Sequence, residues 1–540
     1  MKNDNLFVRN ATGLVRSWSV FDAFIYAFFS INLVTLGFYI FSFSVWLPDA
    51  HMIPAMIIAA IFLIFMIVVY ASMISIIPRS GGDYIWQSRI LGSGIGFVVA
   101  FTGWVVILWH WVPLYGTMLC WNVYQPFLAI LSEISGSGSF VNAALWLNTQ
   151  AGVLFCCASV IVLASIIISF GMRWYARFQK FCFFVAIGGF ILMLALLLLK
   201  TNAQFIAGFN HYVSSIFGGD SVNAYQQILT QTAADGYTPV AWSNMAIIPS
   251  LALIPMLLFW NMWANWGANL YGEIRGAGEF RRNLTGMVSA LIGVTVLAII
   301  FFAILNKSVG WEWFHAANYA FYMGDSPLPI FPYPALLASF LTDSALLQLI
   351  LIVAMSAWFF GWCGTVFLSS TRVIFAAAFD RLLPEWISRV SPKTRSPINA
   401  LMVMAVPSLI VSTIYAYSES FVEWTLATTL VISVTYVFTA IAAVILPYKH
   451  KEMYESSPVA KYKVLGIPLI TICGVVFLAF MAWVFKAWLI EDVYGLANVK
   501  SYMYMGVLYL ISLIVYISAK GLRKKQGIDL EKIYGEIPVE

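Results

Sequence analysis

Charged residues are scarce in this sequence. Only 10% of its 540 residues are charged, whereas 61% are hydrophobic. A soluble domain carries about 25% charged residues, so this composition excludes an ordinary soluble fold and requires lipid around the chain. The six cysteines all lie in apolar segments and lack the paired spacing of metal ligands, so we interpret them as small core residues.

Catalytic motifs are also lacking. The five histidines are dispersed, and the chain contains neither an HExxH nor a GxSxG motif, which argues against an enzyme and against a bound cofactor or metal. A channel would show a filter motif or rings of charge, and the sequence has neither. The net charge is +5, but the basic residues are scattered over short loops, so we expect them to set membrane topology and not to bind nucleic acid.

Long apolar runs are abundant instead. A helix needs roughly 20 apolar residues to cross a bilayer, and the runs here show no alternation of period two that would suggest a barrel strand. We therefore predict an all-α integral membrane protein of about twelve transmembrane helices. The predicted spans 1 to 12 are residues 19–46, 53–77, 95–129, 147–170, 181–199, 246–272, 284–305, 343–378, 399–418, 421–447, 464–489 and 501–519.

The lysines and arginines predict the orientation of these spans. Cytoplasmic loops are enriched in both residues. With the N-terminus in the cytoplasm, all of the 29 fall on the cytoplasmic side except Lys200, Lys307, Lys486 and Lys500. The N-terminal tail lacks the short apolar core of a signal peptide. We thus predict a multi-pass plasma-membrane protein with both termini in the cytoplasm.

The span count suggests two halves of five helices. Because five is odd, the second half enters the membrane from the opposite side, which produces an inverted repeat suited to alternating access. The predicted segments are a cytoplasmic tail (1–18), the first repeat (19–200), an extracellular loop (201–245), the second repeat (246–447), two peripheral helices (464–519) and a second cytoplasmic tail (520–540).

Polar residues interrupt the first span of each half. Unpaired backbone groups at mid-membrane are tolerated where they line a cavity, so these interruptions are candidate substrate sites. The alternative is a polar stripe that holds helices together. The candidate substrate-binding residues are Ser30, Asn32, Thr35 and Gly37 in span 1, and Phe259, Trp260, Asn261, Trp263 and Asn265 in span 6.

Two further groups are candidates for ion binding. His110 lies near the middle of span 3, where it is either a proton relay or a neutral residue bonded to a carbonyl. Thr365, Ser369 and Ser370 in span 8 either hold sodium through their hydroxyls or bond back to their own helix. The coupling ion is therefore left open between H+ and Na+.

Three loop motifs carry a resemblance to a known family. They are Pro78-Arg79-Ser80-Gly81-Gly82-Asp83-Tyr84 after span 2, Gly272-Glu273-Ile274 at the end of span 6, and Phe379-Asp380-Arg381-Leu382-Leu383-Pro384 after span 8. Together they resemble the amino acid–polyamine–organocation (APC) superfamily of permeases. Their acidic residues lie near Arg79, Arg89, Arg282 and Arg372, which indicates either an ion-pair gate or simple loop packing.

The resemblance implies a leucine-transporter-like fold of 5+5 inverted helices plus two peripheral ones, with an amino acid held between the broken parts of spans 1 and 6. Several residues depart from the family pattern. Leu33-Val34-Thr35 replaces a glycine-rich stretch, Trp263 replaces a glycine, Asn265 replaces an acidic residue, and span 5 has no lysine between Phe183 and Ile187.

The expected function is secondary transport of amino acids or related small organic amines. The alternatives are a transporter of another small solute, such as a nucleobase or an apolar or aromatic cation, and a sensor built on a transporter scaffold. A cation held by aromatic ring faces is an alternative because Trp260, Trp263 and Trp266 lie together in the interrupted span 6.

Overall fold

The computed structural model describes residues 14, 16–218, 223–424, 428–494 and 497–537, and their regular structure is almost entirely helical. One antiparallel hairpin, formed by the two-residue strands Lys463–Val464 and Ile467–Pro468, precedes span 11. The all-α membrane fold predicted from the apolar runs is confirmed.

Eleven helices in the described residues are long and apolar enough to cross a membrane. Most are continuous, and spans 1, 3 and 8 are stacks of shorter helical pieces. The eleven are Val20–Trp46, Met52–Ile76, Ser93–Ser135, Gln150–Ser169, Met172–Leu199, Phe280–Ser308, Ala345–Phe379, Ile398–Tyr417, Thr428–Lys449, Leu469–Ile490 and Val499–Lys525.

The sequence predicted about twelve spans, and the difference falls on span 6. This segment consists of the short helices Ile247–Ser250 and Leu253–Asn261 and the 3₁₀ helix Met262–Glu273. Its asparagines and tryptophans lower its hydropathy, and the change of helix type at Asn261 interrupts it. The polar and aromatic interruption that made span 6 a candidate site therefore also excludes it from the helices that are long and apolar enough to cross a membrane.

Shorter helices connect the spans, and the larger ones lie between spans 5 and 6 and between spans 7 and 8. The connecting α-helices are Gly82–Ile90, Gly138–Trp146, Asn202–Phe217, Ala224–Ala234, Trp311–Met323, Pro334–Ser339, Glu419–Trp424, Lys451–Glu455 and Leu530–Tyr534. The connecting 3₁₀ turns are Trp242–Asn244, Glu385–Ser388 and Asp492–Tyr494.

Several helix ends differ from the predicted ones. Span 5 begins at Met172 and not at residue 181, and the start predicted for span 10 at residue 421 lies in the helix Glu419–Trp424, which the undescribed residues 425–427 separate from Thr428–Lys449. Hydropathy marks where a chain leaves lipid, but a helix can continue into water. Span 5 therefore includes Arg173, Arg177 and Lys180, which were assigned to a loop.

Contacts between the two halves occur in pairs that are related by exchanging helices 1–5 with helices 6–10. Span 1 packs on span 7 and span 2 on span 6, while span 5 packs on span 8 and span 3 on span 10. Spans 1 and 6, 2 and 7, and 4 and 9 also pack on each other. A two-fold relation between helices 1–5 and 6–10 requires this pattern, because exchanging the halves converts each contact into another that is present.

The first and last described segments of the chain lie at the same side of the helix bundle, which we call the terminal face. Near the N-terminus, the backbone N–H groups of Ser17 and Trp18 donate to the carbonyl of Glu273 at the end of span 6. Near the C-terminus, the Tyr534 hydroxyl lies 2.9 Å from that of Tyr84. We call the opposite side the far face.

Candidate functional site

Span 1 is interrupted at Asn32. This residue has φ 44° and ψ 90° and separates the α-helix Val20–Ile31 from the π-helical turn Leu33–Gly37. Its Oδ1 accepts a 2.9 Å bond from the N–H of Thr35, and its Nδ2 donates over 3.0 Å to the carbonyl of Trp358 in span 8. Asn32 therefore caps the second part of span 1 and ties the break to span 8.

Span 6 changes direction beside this break. A Cβ on Gly37 would lie 3.0 Å from the indole nitrogen of Trp260, so glycine allows the two broken spans to approach closely. The next residue, Asn261, ends the α-helical part of span 6 and is fully buried. Neither atom of its side-chain amide has a hydrogen-bond partner among the described residues. Such an unpaired buried amide is costly and is typical of a site that a ligand or water completes.

A cavity of about 410 Å³ lies above these breaks and extends toward the far face. Its outer wall comes from the far ends of spans 1, 9 and 10 and from the turn after span 11, including Trp46, Tyr415, Thr428 and Tyr494. Its inner end continues into a smaller pocket whose lining is largely aromatic. That lining consists of Ser30, Leu36, Trp111, Tyr115, Trp263, Trp266, Trp362 and Thr365.

The sequence-predicted substrate residues divide into two groups. Ser30 and Trp263 line the inner pocket, and Phe259 lines the outer cavity. The others lie in or near the breaks of spans 1 and 6 but are not among the lining residues of either space. They are Asn32, which caps the π turn, Thr35, which is buried within that turn, Asn265, which is buried in the 3₁₀ part of span 6, and Gly37, Trp260 and Asn261, which lie where spans 1 and 6 meet.

The three candidate sodium ligands already have protein partners. The Thr365 hydroxyl lies 3.0 Å from that of Tyr115. Ser369 donates over 2.8 Å to the carbonyl of Trp266, and Ser370 donates to the carbonyl of Val366 in its own helix. A sodium site on these hydroxyls stays a prediction, and it would require these bonds to rearrange.

Sequence reasoning missed the aromatic wall contributed by spans 3 and 8. Tyr115 and Trp362 stack with ring centroids 3.6 Å apart and planes 10° from parallel. Trp111 stacks on Trp266 at 5.5 Å. A helical spacing was available as a signal, because Trp111 and Tyr115 are four residues apart and share one face of span 3.

His110 lines the outer cavity. Its Nδ1 lies 3.1 Å from the carbonyl of Val106, which only accepts, so Nδ1 carries the proton and Nε2 accepts from the Tyr504 hydroxyl. Both ring nitrogens are thus satisfied in the neutral form.

The proton relay at His110 stays a prediction. If His110 relays protons, His110→Ala should change the pH dependence of uptake, as measured in proteoliposomes over a series of external pH values. A pH profile that coincides with that of the wild type would exclude the relay.

The chain was compared with known proteins. The family model described as amino acid permease matches residues 19–514. The chain belongs to the amino acid permease family. It is also 21% identical over 475 residues to the branched-chain amino acid permease BcaP of Lactococcus lactis subsp. cremoris (strain MG1363), with 87% of each chain covered. The predicted APC resemblance is confirmed, and this chain is an amino acid transporter.

The terminal face of this permease is closed by buried ion pairs. Arg372 in span 8 binds Glu273 at the end of span 6 through two bonds of 2.7 and 3.1 Å. Arg89 binds Asp380 through two bonds of 2.6 and 2.8 Å. The Arg89–Asp380 pair connects the two halves of the fold, whereas Arg372 and Glu273 join spans 8 and 6 within the second half.

The pairing expected from the sequence holds only in part. Glu273 and Asp380 are paired with arginines, as an ion-pair gate requires. Asp83, the third acidic residue of the motifs, instead accepts hydrogen bonds from Tyr70, Trp104 and Thr439. Arg282 binds Glu279 on the surface and takes no part in closing the face. Residue types and loop positions could not distinguish these partners.

Proposed function

We propose that this permease carries apolar α-amino acids across the plasma membrane by alternating access. The observation that carries the proposal is the lining of the cavity. Among the described residues, this lining contains aromatic, aliphatic and hydroxyl side chains but no lysine, arginine, aspartate or glutamate. A charged substrate side chain would lose its hydration in such a site without gaining a partner. An apolar side chain gains by burial.

The broken helices supply the polar backbone groups for the carboxylate and the amine of an amino acid, which the side chains of the cavity do not supply. The π turn Leu33–Gly37 begins at Asn32 and presents the positive end of its dipole to the break, which favours a carboxylate. The carbonyl end of Val20–Ile31 and the interruption at Asn261 favour an amine. We assign substrate contacts to Ser30, Trp263 and the backbone around Asn32. The BcaP relative is named for branched-chain substrates, which agrees with an apolar pocket.

The distribution of basic residues supports a cytoplasmic terminal face. The cavity reaches toward the far face while ion pairs close the terminal face, so the described conformation corresponds to an outward-facing state. The opposite state requires the Arg372–Glu273 and Arg89–Asp380 pairs to separate.

A thermal-shift screen of the purified chain tests the substrate class. L-leucine, L-isoleucine and L-phenylalanine are expected to raise the unfolding temperature, because a ligand at 100 times its Kd stabilises the folded state by about 2.7 kcal/mol. L-lysine, L-glutamate and leucinamide should not, since each places a charge in the pocket or lacks the carboxylate. Stabilisation by aromatic amines or nucleobases alone would contradict the proposal. Leucine binding without counterflow in proteoliposomes would indicate a sensor.

Trp362 provides a more local test. Trp362→Ala removes the ring that stacks on Tyr115 in the pocket wall, and we expect at least about a tenfold loss of leucine affinity, equivalent to about 1.4 kcal/mol. Trp483→Ala is the matched control, because this span 11 tryptophan is 40% exposed and lies outside the cavity. Isothermal titration gives both affinities. Equal losses in the two variants would show that the pocket wall makes no specific contact.

A further inference from the structure

Asp83 differs from the other buried acidic residues of the chain. Asp22, Glu273 and Asp380 are each paired with a lysine or an arginine. Asp83 is 0% exposed and has no cationic partner among the described residues. A buried carboxylate without a cation is costly, so its retention in the core requires a reason.

Asp83 lies where several spans converge behind the terminal face. It is near the start of the helix Gly82–Ile90, where a Cβ on Gly82 would come within 2.7 Å of the Asn269 amide oxygen of span 6. Its carboxylate accepts a 2.7 Å bond from Tyr70 of span 2 and a 2.9 Å bond from Trp104 of span 3. It also accepts a bond from Thr439 of span 10. The carboxylate therefore connects elements of both halves.

The surrounding groups suit both protonation states of Asp83. Trp104 only donates, but the hydroxyls of Tyr70 and Thr439 can turn and accept a hydrogen bond from a neutral carboxylic acid. Thr439 receives a further 2.9 Å bond from the Gln87 amide. Burial raises the pKa of Asp83 from 3.8 to about 6, although the bonds from Thr439, Tyr70 and Trp104 lower it.

Burial therefore has the largest influence on the pKa of Asp83. The titratable groups that face it are Tyr70 of span 2 and, one ring farther, Tyr436 of span 10. The charged groups on the adjacent elements are the pairs Arg372–Glu273 and Arg89–Asp380, Arg79, which donates to the carbonyl of Pro78, and Lys449, which donates to the carbonyl of Ile90. Tyr70 and Tyr436 also lie between Asp83 and Trp263 of the inner pocket. The ring centroids of Tyr70 and Tyr436 are 5.5 Å apart, and those of Tyr436 and Trp263 are 6.2 Å apart.

We propose that Asp83 is the proton-binding residue that couples amino acid transport to a proton gradient. While the terminal face is closed and the far face is acidic, the carboxyl takes up a proton on one oxygen. Opening of that face admits water and restores the ordinary pKa of about 3.9, so at neutral pH the proton passes to water and no other bond changes. Proton and amino acid then leave together, which makes the permease a symporter. The inference rests on the proposed transport function.

The sign of the pH effect follows from this cycle. A group whose pKa is higher in the closed state than in the open state stabilises the closed state at low pH. Raising the pH at the terminal face through about 6 should therefore favour opening. Asp83→Asn keeps the shape and hydrogen-bonding capacity of the side chain but removes this titration.

Reconstituted full-length protein tests the proposal, with L-leucine as the probe. In the wild type, a proton gradient that is acidic at the far face is expected to drive at least tenfold accumulation. In Asp83→Asn, accumulation should disappear while leucine counterflow persists. Asp83→Glu, which restores a titratable group, should recover part of the accumulation. Undiminished accumulation in Asp83→Asn, or its loss only in His110→Ala, would overturn the proposal.

Difference infrared spectroscopy provides a measurement that needs no substrate. The wild type should show a protonated carboxyl C=O band that disappears as the pH rises through about 6, and Asp83→Asn should lack it. If leucine is not transported but this band is present, the substrate assignment fails and the proton site stands. If leucine is transported but no such band exists, Asp83 is only a structural carboxylate.

Discussion

Glu273→Gln is expected to lower the free energy of unfolding by about 3–5 kcal/mol, the range for removing one partner of a buried ion pair. Arg372 is 0% exposed and Glu273 is 1% exposed, and two hydrogen bonds join them. A glutamine in place of Glu273 leaves the guanidinium charge buried without compensation. Closure of the terminal face should weaken as well, so uptake should fall together with stability.

A surface pair serves as the control for this prediction. Arg282 and Glu279 lie 2.8 Å apart, but both side chains are more than half exposed. Glu279→Gln should therefore cost only about 0–1 kcal/mol. Thermal unfolding in detergent compares the two variants. If both shift the unfolding temperature equally, the buried pair does not hold the terminal face closed.

The double variant Glu273→Leu/Arg372→Met separates charge burial from packing. Replacing a buried pair by apolar residues of similar volume is often neutral for stability or stabilising. We expect the double variant to recover most of the stability lost in Glu273→Gln. It should not recover uptake if separation of the two charges is part of the transport cycle.

The general fold was predictable from the sequence because a bilayer limits what an apolar chain can do. Runs of about 20 apolar residues must form helices there, and the structure places helices at the predicted spans. Helix ends were less predictable. The helix from Met172 continues through three basic residues outside lipid, because backbone hydrogen bonding does not stop where hydropathy falls.

The candidate site was predictable where the signal is local. Asn32 and Asn261 are polar residues in apolar spans, and both mark observed changes of helix type. Helical spacing could have indicated Trp111 and Tyr115 of the aromatic wall, but the contact of Trp362 with Tyr115 was not predictable, because it arises only through the packing of span 8 on span 3. The same limit applies to Asp83, since loop sequence cannot distinguish an arginine partner from two hydroxyls and an indole N–H on three different spans.

Asn32→Ala is expected to abolish measurable uptake and to destabilise the protein by about 3 kcal/mol or more. The buried N–H of Thr35 would lose its partner, and the carbonyl of Trp358, which lies inside the helix Ala345–Cys363, would lose its bond from the Asn32 side chain. Each such loss costs about 1–3 kcal/mol. Alanine must also adopt φ 44°, which asparagine tolerates better.

Asn32→Gly and Asn32→Asp separate these effects. Glycine removes the backbone strain but restores neither hydrogen bond of the Asn32 side chain, so its stability should lie between those of wild type and alanine. Aspartate keeps the acceptor for Thr35 but opposes the Trp358 carbonyl with a buried charge, so it should be at least as harmful as alanine. Unfolding temperatures and leucine uptake of the three variants give the order. If alanine matched glycine in stability and both transported like the wild type, the break in span 1 would be held by packing and not by the Asn32 side chain.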